Sequence, residues 1–355
     1  MEICNNVLDV IQLHNTGQNR GFFIQYRLAM SLEIIREDKT LQNITCELPQ
    51  TSHTYVSADG TADYKTIQEA VDAVPLFNHG EVIIHIRPGV YHERVVITGD
   101  RPHITFMGED AEKTIIRYDD YAGKVLENGD IMGTFRSAVV TIFANHFTAK
   151  NITMQNSYDG SKSGGRQALA VYASGEHIVF DHCRFYGAQD TVYAKDGTQL
   201  YYQCYIQGDV DFIFGGARAV FEECELFAFN VNEEDKERRA YIAAPSTPLS
   251  QKFGFLFLKC EVKGNFGVNT VYLGRPWHPG ADPFAVGNCV FMKCELADII
   301  REDGWKEQMG GFLSKNARLY EYENYGPGAA EHERRKVLSQ DEAAEYTKER
   351  VLGWN

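Results

Sequence analysis

The feature that most constrains the fold of this 355-residue chain is a short phrase that returns along its second half. In each copy a polar residue precedes a cysteine, and a polar and then an apolar residue follow it. The copies are centred on Cys183, Cys204, Cys224, Cys260 and Cys294. The first two intervals are 21 and 20 residues, and the next two are 36 and 34. A period near 20 residues predicts a solenoid in which each repeat forms one coil and stacks on the next.

The residues between the copies indicate that these coils are built from β-strands. From about residue 80 onward, short runs of Val, Ile, Phe, Tyr and Thr alternate with Gly, Asp and Asn. We therefore predict an all-β fold, a single-stranded parallel β-helix over residues 54–355, in which the longer intervals are coils that carry loop insertions. Residues 1–53 show no clear period and are assigned as an N-terminal extension of unknown role.

Two segments predict short helices that cap the ends of the solenoid, where unpaired strand edges would otherwise be exposed. Residues 66–75 begin with Thr66 and Glu69 in capping-box spacing and end at a proline. Residues 339–351 begin with Ser339 and Glu342 in the same spacing. We expect a helix from each segment.

The repeated cysteines have two interpretations. Small thiols that face inward and fill the core are the default for such a column. Strands in neighbouring coils lie about 4.8 Å apart, which is close enough for a disulfide. A bridge between Cys204 and Cys224 is therefore the alternative in an oxidising compartment.

Polar residues follow the same period as the cysteines. Gln167 precedes Gln189 by 22 residues, and Asp190 precedes Asp211 by 21. We expect them on three successive coils, with the two aspartates about 5 Å apart. Carboxylates that close repel, so one would keep a proton while the other ionises, as an acid and a nucleophile require. Turn-forming aspartates and a ladder of glutamine amides are the structural alternatives.

Charge and hydropathy narrow the possible partners. The chain has 35 basic and 49 acidic side chains, a net charge of −14, which argues against a nucleic-acid or anionic-membrane partner. No stretch approaches the roughly 18 apolar residues of a membrane span. Residues 22–35 are too interrupted for a secretory leader. We therefore expect a protein that is cytoplasmic as written, or secreted if a leader precedes this sequence. We also expect a monomer.

Three sequence blocks resemble the signature motifs of the pectin methylesterases, enzymes that remove methyl groups from polygalacturonate. The blocks are GAQDT at 187–191, DFIFG at 211–215 and LGRPW at 273–277. Supporting matches occur at 59–70, 133–138 and 167–170, and the segments 243–247 and 345–353 resemble the bacterial branch. The resemblance implies a right-handed parallel β-helix of the pectin lyase-like kind.

The resemblance also implies roles for individual residues. Asp211 would be the nucleophile, and Asp190 the acid that protonates methanol and then activates water. Gln189 and Gln167 would donate to the oxyanion, and Arg275 would hold Asp211 ionised. The implied substrate-binding residues are Thr134, Gln167, Phe214, Arg275 and Trp277. The implied mechanism requires no cofactor and no metal.

Two other functions remain open from the sequence. A β-helical glycoside hydrolase acting on polygalacturonate would use paired carboxylates across a glycosidic bond. A non-catalytic β-helix could bind polysaccharide without turning it over. For the esterase, the expected partner is methyl-esterified pectin or an oligogalacturonide.

The negative charge predicts a preference for highly methylated substrate. Because demethylated pectin is a polyanion, the −14 charge of the chain should repel it, and moderate salt should relieve that repulsion. We expect rates on weakly methylated oligomers to rise with salt and rates on highly methylated oligomers to change little. Methanol release across a salt series measures both, and equal, salt-independent rates would contradict the prediction.

Overall fold

The structure is a computed structural model that describes residues 51–159, 165–306, 308–309, 312–313 and 317–354. The first 50 residues, and with them almost all of the predicted extension, lie outside this description. Within it the chain forms 25 strands and three α-helices, which we number in chain order. None of these helices is long and apolar enough to cross a lipid bilayer.

The strands of the described residues are as follows. They are β1 Ser52–Val56, β2 Val82–Ile86, β3 Gly89–His92, β4 Val95–Ile97, β5 Ile104–Gly108, β6 Thr114–Tyr118, β7 Val140–Ile142, β8 Thr148–Lys150, β9 Thr153–Asn156, β10 Val171–Asp181, β11 Arg184–Tyr186, β12 Val192–Tyr202 and β13 Tyr205–Gly208. They continue with β14 Val210–Gly215, β15 Arg218–Glu222, β16 Glu225–Ala228, β17 Ala240–Pro245, β18 Phe255–Leu258, β19 Glu261–Gly264, β20 Val271–Gly274, β21 Asn288–Met292, β22 Glu295–Leu296, β23 Gln308–Met309, β24 Phe312–Leu313 and β25 Arg318–Tyr322. The helices are α1 Ile67–Asp72, α2 Gln340–Ala343 and α3 Lys348–Leu352.

Strands β23 and β24 pair antiparallel with each other, and the other described strands form three parallel ladders, one for each side of a coil. The first ladder runs β1-β2-β5-β8-β10-β12-β15-β18-β21-β25, and the second runs β4-β7-β10-β12-β14-β17-β20. The third runs β3-β6-β9-β11-β13-β16-β19-β22. The long strands β10 and β12 belong to two ladders because their halves pair with different neighbours. This is the predicted parallel β-helix.

The corner before each repeated cysteine explains the sequence phrase. The preceding residue adopts a left-handed backbone, with φ between 49° and 55° at His182, Gln203, Glu223, Lys259 and Lys293. That conformation turns the chain sharply and directs the following cysteine into the core, where the cysteines are buried. Each Sγ lies 3.2 to 3.4 Å from a carbonyl oxygen of the preceding coil. Cys204 and Cys224 are free thiols, so the alternative disulfide is not formed.

A column of aromatic rings fills the core beside these thiols. Register pairs Phe180, Tyr201, Phe221, Phe257 and Phe291 on successive coils. Their ring centroids stack at 4.8, 4.5, 4.7 and 4.3 Å. Because each ring contacts the rings above and below it, the column resists a slip of one coil against the next.

The predicted N-terminal helix is confirmed. Helix α1 is capped by Thr66 and Glu69, which form the expected capping box, and its residues Ile67, Ala70 and Val71 are buried in the core. The carboxylate of Glu93 accepts the first two helical N–H groups at 2.9 Å each. The helix therefore covers the first coil.

The predicted C-terminal helix is wrong in two respects. It breaks into α2 and α3, because Thr347 is extended and caps a new helix while the Tyr346 hydroxyl bonds to Asn288. It also leaves the last coil and packs on the outer face of the first ladder. There its Val351 and Leu352 join a second apolar cluster with residues of β15, β18 and β21. Apolar side chains on that outer face, and not the open end, determine its position.

The aromatic column generates a stability prediction. Phe221→Ala should lower the free energy of unfolding by about 3 to 5 kcal/mol, because it leaves a cavity between two stacked rings. Phe143→Ala is the control, because that ring is 43% exposed. Denaturant unfolding followed by circular dichroism measures both variants. Equal losses from the two would show that the column does not carry this stability.

Candidate active site

The second ladder brings the predicted polar residues to one place. Gln167 lies just before β10, Gln189 and Asp190 lie just before β12, and Asp211 is the second residue of β14. Gln167 pairs with Gln189 as a parallel bridge, and the Asp190 N–H donates to the Val210 carbonyl at 3.0 Å. Neighbouring coils therefore present these side chains side by side.

These side chains line a cleft of about 220 Å³. All eight residues predicted from the sequence lie on its wall, together with Phe135 and Ala244. The lining residues are Thr134, Phe135, Gln167, Gln189, Asp190, Asp211, Phe214, Ala244, Arg275 and Trp277. The aspartates and glutamines thus share one cleft.

Asp211 is held by a bidentate ion pair. Arg275 donates from Nε to Oδ1 at 2.8 Å and from Nη2 to Oδ2 at 2.6 Å. The flat face of the same guanidinium lies over the ring of Tyr241, with Cζ 4.0 Å from the ring centroid. Asp211 itself has a φ of 51° at a register shift between β14 and β17, and such bulges re-aim a side chain.

Of the two carboxyls, Asp190 has the more strongly raised pKa. Burial, and after it the negative charge of Asp211, raises the pKa of Asp190 well above its usual value, and Arg275 opposes this only in part. The side chain of Gln189 also hydrogen-bonds to this carboxyl. Asp190 is only 8% exposed, so the neutral form is the one that the cleft accommodates.

Asp211 differs from Asp190 because a cation, Arg275, bonds to it directly. Burial raises the pKa of Asp211, while the hydrogen bonds and charge of Arg275 oppose that rise. The guanidinium bonds to Asp211 and not to Asp190, so Asp211 ionises first as pH increases. Over the pH range between the two ionisations, the cleft therefore holds one ionised carboxylate beside one carboxylic acid.

An aromatic wall borders the carboxyl pair. Phe214 stacks on Tyr193 at 4.4 Å and meets Trp277 edge to face at 5.4 Å. Phe135 stacks on the opposite side of Tyr193 at 4.9 Å. Trp277 is partly exposed and Phe135 is 46% exposed, so both offer ring surface to a ligand.

Sequence reasoning missed three residues of the site and its surroundings. Phe135 directly follows Thr134 in a block that the resemblance includes, and Ala244 lies in the 243–247 segment, so both positions carried a signal. Tyr241, which supports Arg275, has no such signal. It reaches the guanidinium because β17 pairs with β14 and β20.

The fold and the cleft together define a β-helical enzyme of the carbohydrate esterase class. The sequence profile of the Pectinesterase family matches residues 53–354. Pectinesterase 31 of Arabidopsis thaliana is 34% identical over 299 residues, which cover 82% of this chain and 89% of the relative. A pectin methylesterase from Erwinia chrysanthemi superposes with a TM-score of 0.78 at 32% identity, covering 85% of this chain and 97% of that one. A pectin methylesterase variant in complex with a hexasaccharide gives 0.79 at 32% identity with the same coverage.

The chain belongs to the pectinesterase family. The predicted family, the right-handed parallel β-helix and the class of enzyme, a pectin methylesterase, are confirmed by these matches. The matches do not favour the glycoside hydrolase or the non-catalytic binding protein.

The raised pKa of Asp190 predicts a cost in stability. The ordinary pKa of an aspartate is 3.8, and above this pH the unfolded chain releases the Asp190 proton that the folded protein keeps. The free energy of unfolding should therefore decrease as pH rises above 3.8. Asp190→Asn removes this penalty, and we expect its melting temperature at pH 7 to exceed that of the wild type. The difference should narrow as pH approaches 4.

The matched control is Asp235→Asn, which makes the same change at an exposed position. It should leave the melting temperature nearly unchanged at both pH values. Calorimetry of all three proteins measures the effect. If Asp190→Asn is less stable than the wild type at every pH, burial does not penalise this carboxyl.

Proposed function

We propose that this enzyme hydrolyses the methyl esters of galacturonate units in pectin or pectic oligosaccharides, with Asp211 as nucleophile and Asp190 as acid and base. The observation that carries the proposal is the contrast between the two carboxyls. One is paired with Arg275 and the other is buried without a bonded cation. Methanol and a free carboxylate are the products.

The first half of the reaction forms a covalent intermediate. An oxygen of Asp211 attacks the carbonyl carbon of the ester, and the carbonyl π electrons move to its oxygen. When the tetrahedral intermediate collapses, the bond to the methoxy oxygen breaks, and that oxygen takes the proton of Asp190. Methanol leaves, and substrate and Asp211 remain joined as an acid anhydride.

The second half restores the enzyme. Asp190 is now ionised and takes a proton from water as the water oxygen attacks the anhydride. The bond to Asp211 breaks, and the galacturonate group leaves as a carboxylic acid that loses its proton to solvent. Both aspartates return to their starting states. Arg275 supports this cycle because it stabilises Asp211 as a leaving group, and each Asp211 oxygen keeps a lone pair beyond the one that Arg275 occupies.

The two glutamines fit the role of oxyanion donors. Both line the cleft next to the carboxyl pair, and their backbones are paired, which keeps the two side chains adjacent. The side-chain oxygen of Gln167 lies close to Gly165, where an added Cβ would approach it to 2.7 Å. Gly165 therefore leaves room for this amide. A preorganised donor of this kind is commonly worth about 3 kcal/mol of the barrier.

The aromatic wall and the polar rim fit the sugar chain. We assign Trp277 and Phe214 to the apolar face of a galacturonate ring, and Thr134, Gln167 and Arg275 to its polar groups. All five line the cleft. A structural relative was solved in complex with a hexasaccharide, which supports an oligosaccharide ligand here.

We also place the chain in the bacterial branch of the family. The segments 243–247 and 345–353 support this placement, as does the similarity to the Erwinia chrysanthemi enzyme. The monomeric state and the absence of nucleic-acid and membrane partners stay predictions.

The assigned roles predict different losses of activity. Asp211→Asn should lower kcat on the order of 10³-fold or more, because the amide cannot form the intermediate. Gln189→Leu should lower kcat about 10²-fold or more, because it removes an oxyanion donor. Methanol release from methylated oligogalacturonides of defined length measures both.

Asp196→Asn, at an exposed position on the solvent side of β12, is the matched control and should retain wild-type kcat. Reducing ends are counted in the same samples. New reducing ends without methanol would indicate a glycoside hydrolase, and an active Asp211→Asn would exclude the proposed nucleophile.

A further inference from the structure

A third aspartate lies beneath the carboxyl pair, outside the cleft wall. The side chain of Asp209 is 1% exposed, and its Oδ2 accepts from two guanidinium groups. Arg166 Nη2 donates at 3.1 Å, and Arg238 Nη2 donates to the same oxygen. Its Oδ1 accepts the Val210 N–H at 2.7 Å. Both oxygens of the carboxylate therefore bond within the protein, and the side chain does not line the cleft.

The backbone of Asp209 joins two further coils. Its N–H donates to the Ala188 carbonyl at 2.9 Å, next to Gln189. Its carbonyl accepts the Tyr241 N–H at 3.0 Å, and the ring of Tyr241 lies over Arg275. Asp209 thus contacts the segment that carries the acid and the oxyanion donor, and it contacts the strand whose Tyr241 supports the cation.

The ion pair between Arg166 and Asp209 connects the segment that carries Gln167. Arg166 directly precedes Gln167, and its side chain spans from that coil to the coil that carries Asp211. Arg238 belongs to the insertion between β16 and β17, where its Nη1 also donates to Asn230 at 3.2 Å. One buried carboxylate therefore ties the Gln167 segment and this insertion to the nucleophile strand.

The charge of Asp209 also reaches the reacting groups. It raises the pKa of Asp190, after the larger effects of burial and Asp211, and it raises the pKa of Asp211, where burial is the largest cause. The other charged group that faces both carboxyls is Arg275. Removal of the Asp209 charge should therefore move both ionisations to lower pH.

We propose that Asp209 is a positioning residue for the esterase reaction, which holds the Gln167 segment in register with the Asp190 and Asp211 pair through its ion pair with Arg166. The inference rests on the proposed function, because it takes the roles of Gln167, Asp190 and Asp211 from it. Asp209 acts through these residues and does not touch substrate.

The test is Asp209→Asn, which keeps the shape of the side chain and removes its charge. We expect kcat to fall about tenfold or more with a smaller change in KM, because displaced donors stabilise the transition state less. Both limbs of the pH profile of kcat should move to lower pH. Glu222→Gln is the matched control. It breaks an ion pair with Lys348 on the outer face and should leave kcat and the profile unchanged.

A second pair of variants keeps the test decisive if Asp209→Asn folds poorly. The Arg166 side chain is 38% exposed, so changes there should be tolerated in folding. Arg166→Gln should lower kcat, and Arg166→Lys, which retains the charge, should recover a large part of it. Equal activities of the two variants at the wild-type level would overturn the proposal.

Different results would contradict the positioning role of Asp209 and the catalytic roles of the cleft residues. If Asp209→Asn has a lower melting temperature but wild-type kcat and pH profile, Asp209 is only structural, and the proposal is wrong. If Asp211→Asn is fully active, the proposed catalytic roles fail first, whatever Asp209→Asn does.

Discussion

The rest of this molecule depends on the parallel register between neighbouring coils. Val171, Val192 and Ile213 form one row across β10, β12 and β14, and the stacked rings of Phe180 and Tyr201 repeat that alignment in the core. Because side chains alternate between faces, a slip of one residue would turn the aromatic column outward and separate the polar residues of the cleft. The packing of the core and the geometry of the site are therefore maintained by the same backbone hydrogen bonds.

Register alone would not make two aspartates chemically different. Asp190 and Asp211 have similar exposure and the same left-handed backbone, with φ of 65° and 51°. Their difference comes from Arg275, which bonds to one carboxylate only, and from burial, which makes each unpaired charge costly. The left-handed backbone is tolerated by aspartate more readily than by most residues, and the ladder on both sides holds it.

The groups behind the cleft extend this dependence beyond the reacting residues. Tyr241 supports the guanidinium of Arg275, and Asp209 joins the strand of the nucleophile to the segment of Gln167. Glycines allow neighbouring coils to approach each other closely behind the cleft. An added Cβ at Gly208 would lie 2.6 Å from the Ala188 carbonyl oxygen of the preceding coil, and one at Gly215 would lie 1.9 Å from the Ala194 carbonyl oxygen. These positions allow coils to pack at the distance that the carboxyl pair requires.

The sequence by itself determined the β-helix, the capped helix α1 and the grouping of Gln167, Gln189, Asp190 and Asp211, because spacing near 21 residues and local capping chemistry need no knowledge of distant contacts. The motif resemblance added Arg275, which lies 64 residues beyond Asp211 and across coils of irregular length. Only the tertiary structure decided that α3 covers the outer face and that Tyr241 and Asp209 support the site. Those outcomes depend on burial and on charges brought together from separate insertions, and no spacing in the chain encodes either quantity.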